Sequence, residues 1–110
     1  MYNKYSNSKC KCASGHVHDS KKEAKRCNEL TILENAGYIQ NLQQQVKYVL
    51  IPTQKIGGKV AERECSYYAD FDYYENNVHI VEDTKGMKTK DYIIKRKLML
   101  HVHGIKIKEL

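Results

Sequence analysis

Three residues in the middle of the chain suit metal-assisted chemistry: Asp70, Asp83 and Lys85. Asp83 and Lys85 stand two apart in residues 78–85, a stretch that reads as a strand. Side chains two apart on a strand share a face, so both point one way while Glu82 and Thr84 point the other. Asp70 lies on the preceding strand, joined by the tight turn Glu75-Asn76-Asn77, and can sit beside them. Carboxylates are hard oxygen ligands for Mg²⁺ or Mn²⁺. Such an ion acidifies a water and offsets charge growing on a phosphate, and the Lys85 ammonium can orient that water or screen that charge. Glu23, in the first turn of a helix, can complete the set from above the sheet. The expected chemistry is phosphodiester hydrolysis, with Asp70, Asp83, Lys85 and Glu23 as catalytic residues and Asp70, Asp83 and Glu23 as metal ligands. Each has a plainer reading. Glu23 can be a capping residue, Asp70 and Asp72 charges that guard a strand edge, and Asp83 with Lys85 a surface ion pair of little consequence.

The elements that must position these residues follow from the spacing of apolar, capping and turn residues. With 110 residues the chain is one domain, large enough to bury a core without disulfides. Residues 1–8 are polar and expected to be flexible, and 9–18 form a hairpin or loop around Ser14-Gly15. Ser20-Lys21-Lys22-Glu23 is a capping box. It opens a helix with Ala24, Cys27, Leu30, Leu33 and Ala36 at three-residue steps, ended by Gly37. The period then becomes two: Val46, Tyr48 and Leu50 alternate up to Pro52. Gly57-Gly58 is a hairpin turn, a strand follows through residues 65–73, and the next covers 78–85 until Gly86. Thr89 caps a second helix over 90–103, stopped by Gly104, and Ile105 and Ile107 mark a short last strand. A helix, three or four strands, a helix and a strand make an α/β (mixed α+β) domain. The first strands can meander, and the last needs the second helix as a crossover, so the sheet is mixed.

Charge is arranged around this plan. The net charge is +6, made of +4 over residues 1–30, −4 over 31–83 and +6 over 84–110. Carboxylates inside a positive frame suit an enzyme of nucleic acids, because the frame attracts phosphates while the acids hold a cation. Lys88, Lys90, Lys95, Arg96 and Lys97 follow the metal strand and are candidate contacts to the DNA backbone, carrying no sequence code. The inner side of their helix is either Ile94, Leu98 and His101, or Tyr92 and Met99. No apolar run approaches the roughly 18 residues of a membrane span, and the first residues lack the apolar stretch of a signal peptide. A cytoplasmic protein is expected, with no membrane and no small-molecule organic cofactor, and its four cysteines as thiols or metal ligands. Cys12, His16, His18 and Cys27 offer four ligands for a structural Zn²⁺ pinning the N-terminal hairpin to the first helix. The alternative makes Cys27 a core residue.

In this order the segments resemble the PD-(D/E)XK nuclease superfamily, particularly small phage and prophage proteins related to Holliday junction resolvases and transposon-end nucleases. The resembling segments are His18-Asp19-Ser20-Lys21-Lys22-Glu23-Ala24, Ala36-Gly37-Tyr38-Ile39 with Leu42 and Gln45, Tyr68-Ala69-Asp70-Phe71, Val81-Glu82-Asp83-Thr84-Lys85-Gly86, and the helix from Lys88-Thr89-Lys90 to Lys97-Leu98. They span roughly residues 17–108. The resemblance implies a restriction-endonuclease-like αβββαβ core in a bacterial host cell. It makes Asp70 and Asp83 the acidic metal ligands, Lys85 the motif lysine and Glu23 the extra helix carboxylate of resolvase-like members. Gln45 matches a family glutamine, as an auxiliary residue. Ala69 stands where the superfamily name has proline, and the third-motif acid is Asp, with Glu82 beside it. The expected function is a Mg²⁺-dependent DNA endonuclease, acting on branched DNA as a homodimer and leaving 5′-phosphate and 3′-hydroxyl ends. One alternative is a non-catalytic, zinc-stabilised DNA-binding module of the same fold, and another is an interaction protein that blocks a host factor.

Overall fold

The computed structural model describes residues 20–84 and 87–110 and the backbone of 10–11 and 17–18. The expectation of flexibility for residues 1–8, and those for Cys12, His16 and Lys85, lie outside the described residues. The chain begins with β1 (Cys10–Lys11) and β2 (Val17–His18), an antiparallel pair that matches Cys10 with His18. The helix α1 (Lys21–Asn35) starts where the capping box requires, with the Ser20 hydroxyl accepting from the Glu23 N–H at 3.1 Å. It ends in a Schellman motif: Tyr38 N–H bonds the Leu33 carbonyl, and Gly37 N–H, at φ 85°, bonds that of Glu34.

Four strands form the main sheet in the order β3-β6-β7-β8. They are β3 (Gln40–Ile51), β6 (Cys65–Glu75), β7 (Val78–Asp83) and β8 (Lys108–Glu109). The first three run antiparallel, and β8 pairs parallel to β7. The crossover that this requires is α2 (Lys90–His103), capped by the Thr89 hydroxyl and closed at Gly104. A separate antiparallel hairpin, β4 (Gln54–Ile56) and β5 (Lys59–Glu62), turns at Gly57-Gly58. The domain is thus mixed α+β, with a mixed four-stranded sheet, small two-stranded ribbons and two helices. Among the described residues no helix is long and apolar enough to cross a membrane.

Several expectations change in detail. β3 starts six residues before the alternation at Val46, because its glutamine-rich first half pairs with β6 whatever its propensity. β7 stops at Asp83, and the last strand lies at Lys108–Glu109, after the buried Ile107. β6 is an interior strand, so Asp70 and Asp72 guard no edge. On α2 the inner side is Tyr92 and Met99, while Ile94 is exposed.

The core has two parts. Ala24, Cys27 and Leu30 of α1 pack with Ile39, Phe71 and Tyr73, and with Ile80. Tyr92 and Met99 of α2 pack with Leu50, Tyr67, Ala69, Val81 and Ile107. Ile80 and Val81 are neighbours on β7, so the helices cover opposite faces of that strand. On β6, however, Tyr67 and Ala69 feed the α2 cluster whereas Phe71 and Tyr73 feed the α1 cluster. Residues two apart share a face on a regular strand, so the pleat switches sides between Ala69 and Phe71. Asp70 is the residue at the switch.

Candidate functional site

Between the pairs Gln44–Phe71 and Val46–Ala69, the register sets Gln45 opposite Asp70, and Gln45 has a left-handed φ of 53°. That conformation costs a residue with a Cβ about 1–2 kcal/mol, and such strain is held only where the surroundings determine it. Here the Gln45 amide nitrogen donates to Glu23 Oε2 at 3.1 Å and reaches Asp70 Oδ1 at 3.4 Å. One amide therefore joins the first turn of α1 to the middle of the sheet, and marks the point on which two carboxylates converge.

Both carboxylates are buried, Glu23 at 5% exposed and Asp70 at 8%. The other oxygen of Asp70, Oδ2, accepts from the Thr84 N–H at 2.8 Å and from its hydroxyl at 2.9 Å. This explains why β7 ends at Asp83: the Thr84 N–H serves a carboxylate across the sheet instead of a ladder. Among the described residues every partner of Asp70 is a neutral donor. These donors satisfy a carboxylate that burial has taken out of water and fix its orientation.

Asp83 is one step beyond the last β6–β7 bridge, Phe71 with Glu82, so the register continues to Asp70 against Asp83. The Tyr67 hydroxyl donates to Asp83 Oδ2 at 2.5 Å. Burial first, then the bond to Asp83 and the charges of Asp83 and Asp70, push the Tyr67 phenol well above its ordinary range. It stays protonated and so remains a donor, and both acids lie near enough to act on one hydroxyl.

Glu82, the neighbouring acid, is in a different situation. It is wholly buried on the α1 side, where Arg26 grips it with two bonds, Nε to Oε1 at 2.8 Å and Nη2 to Oε2 at 2.7 Å. The Tyr73 hydroxyl also donates to it, and the Lys108 ammonium lies 3.8 Å away. Burial alone would raise the Glu82 carboxyl, but Arg26, Tyr73 and Lys108 together bring it below the ordinary value. Glu82 is therefore a neutralised strut between α1, β7 and β8.

Glu23, Gln45 and Asp70 are thus brought together, with Asp83 next in the register. Of the candidate zinc ligands, Cys27 and the backbone of His18 are among the described residues. Cys27 is wholly buried in the α1 cluster, and His18 is placed by its backbone on β2. Among the described residues no three His, Cys, Asp or Glu side chains form a ready-made metal cage. On the basic helix, Lys90 and Lys97 are exposed, and Lys95 lines an open cleft of about 230 Å³ with Tyr67 and Thr89. Arg96 and Lys88 approach Glu109 of β8 at 3.2 Å and 3.7 Å. Sequence reasoning does not single out Arg26, Tyr67 or Thr84. For Thr84 a signal exists, since a hydroxyl residue between Asp83 and Lys85 can bond a carboxylate through both N–H and O–H.

The donor set fits a hard divalent cation: carboxylate oxygens, two of them buried and meeting at one amide, in a frame of neutral donors. Fold and site together define a small α+β domain that gathers acidic residues at a break in its central strand. The chain belongs to the family described as "Protein of unknown function (DUF1064)", which matches residues 2–108. No curated protein and no solved structure matches it.

Proposed function

We propose that this domain is a metal-dependent DNA endonuclease of the PD-(D/E)XK type, related to Holliday junction resolvases and acting on branched DNA. The observation that carries the reading is Asp70: a buried acid held only by neutral donors among the described residues, sharing an amide with the buried Glu23. Two buried carboxylates that converge on one amide attract a cation. The order of elements supports the same reading, as does the basic charge of the segments flanking the acids.

Glu23, Asp70 and Asp83 would hold the ion, Mg²⁺ or Mn²⁺. When bound, it supplies positive charge beside the scissile phosphate and acidifies a water. Thr84 fixes the rotation of Asp70, Tyr67 fixes that of Asp83, and Gln45 holds Glu23 and Asp70 at a set separation. Lys85, outside the described residues, follows Thr84 directly and would bring its ammonium to the phosphate. Lys90 and Lys97 are exposed for the DNA backbone, and Lys88 and Arg96 can exchange Glu109 for phosphate, since exposed ion pairs are weak. Two copies acting as a homodimer would meet the two strands of a junction in a bacterial cytoplasm.

The test is incubation with linear, flapped and four-way DNA, in Mg²⁺ or in EDTA, using the natural chain and Asp83→Ala. The expected result is cutting that needs the cation and is abolished by the substitution. Cutting that survives both changes overturns the mechanism. Binding without any cutting indicates a non-catalytic DNA-binding module of the same fold, for which a Zn²⁺ on Cys12, His16, His18 and Cys27 would be structural.

A further inference from the structure

The hairpin of β4 and β5 has no part in the proposed chemistry. Every residue of both strands is exposed, including Ile56 at 77% and Val60 at 55%. An isolated two-stranded ribbon gains little from its own ladder, so aliphatic side chains kept bare on it point to something they meet. Its register pairs Ile56 with Lys59 and Lys55 with Val60. Facing residues share a face, and successive pairs alternate, so each face of the ribbon carries one aliphatic side chain beside one lysine. The one acid of the two strands, Glu62, is paired with Gln54 at the end of the ribbon away from the tip. The tip is as slim as a hairpin permits: Gly57 and Gly58 have φ 60° and 80°, the pair of left-handed residues of a type I′ turn.

Resting on DNA as the partner, we infer that this ribbon enters the major groove of duplex DNA, tip first. The groove is about 12 Å wide and 8.5 Å deep and admits a two-stranded ribbon. The three residues of β4 rise about 10 Å, enough to reach its floor. Lysines on opposite faces would each meet a different phosphate wall, which a ribbon with one basic and one apolar face could not do. Ile56 and Val60 would contact base edges and thymine methyls. The partner is therefore duplex DNA, gripped at a distance from the acidic site.

The experiment measures DNA affinity by fluorescence anisotropy over a series of salt concentrations, in EDTA so that no cutting intervenes. It compares the natural chain with Lys55→Ala/Lys59→Ala and with Ile56→Ser/Val60→Ser. All four positions are exposed, and thermal melting checks that the variants stay folded. Each phosphate contact contributes about 0.9 to the slope of log affinity against log salt, so the lysine pair should flatten it by nearly two. The aliphatic pair should weaken binding about tenfold, because two apolar side chains no longer meet the bases, and leave the slope unchanged. A natural chain that binds DNA while the lysine variant keeps its slope and affinity overturns the hairpin's role and spares the nuclease reading. A natural chain that binds no DNA even at low salt overturns both. A change of oligomeric state in the Ile56/Val60 variant with DNA affinity intact makes the ribbon a subunit contact and overturns the inference.

Discussion

Glu82 and Asp70 are both buried acids of the central sheet, and the described residues around them differ in kind. Glu82 meets a guanidinium at 2.7 and 2.8 Å, a tyrosine hydroxyl and a more distant ammonium, all supplied by the protein. Among the described residues Asp70 meets an amide, a backbone N–H and a threonine hydroxyl, which orient its carboxylate. The first arrangement uses a buried charge to tie α1 to β7. The second orients a carboxylate through neutral donors, which on the proposed reading leaves it for a cation. Glu82 on β7 thus serves stability, and Asp70 on the neighbouring β6 the candidate site.

Substitutions on the two sides should differ in size. Arg26→Ala leaves the Glu82 carboxylate buried without its main counter-charge and should cost about 3 kcal/mol in urea unfolding. Replacing Arg26 and Glu82 together with apolar residues of similar size should recover most of that loss. Asp70→Asn removes a buried charge and keeps its shape, but turns an NH₂ group toward the Gln45 donor. The two effects offset, so stability should stay within about 1 kcal/mol of the natural chain, while any stabilisation by Mn²⁺ is removed. If Asp70→Asn destabilises as strongly as Arg26→Ala, the contrast fails. Thr84→Val deletes one of the two donors to Asp70 Oδ2 and should cost about 1 kcal/mol, seen in the same unfolding curves.

A smaller and more gradual effect lies in the response to acid. The folded-state pKa of Glu82 is lowered, so its contribution is complete above the unfolded carboxyl value near 4.5 and is lost as pH falls through the lower folded value. Unfolding curves of Glu82→Gln between neutral pH and strong acid should therefore fall less steeply than those of the natural chain. A parallel pair of curves would mean that Arg26 does not hold Glu82 as a charged partner.

The ends of the helices were legible because they are written locally: Ser20 and Thr89 cap, and Gly37 and Gly104 stop. The start of β3 was not, since Gln40, Gln43, Gln44 and Gln45 have no strand pattern and are fixed by β6 from outside. At the candidate site the acids could be picked by type and order. Strand parity also separated Asp83 from Glu82, whose opposite surroundings the structure displays. Parity failed at Thr84, which leaves the strand to bond Asp70, and at the switch between Ala69 and Phe71, where odd residues change sides. Both lie beside the left-handed Gln45 and turn on which helix covers which face, neither of which a periodicity records.

The most direct measurement is a Mn²⁺ titration followed by electron paramagnetic resonance, on the natural chain and on Asp70→Asn, both shown to be folded. Saturable binding by the natural chain, lost in Asp70→Asn while that variant stays folded, is the expected result. Equal binding by the two proteins, or none by the natural chain, would contradict the assignment of Asp70 and its neighbours to a cation.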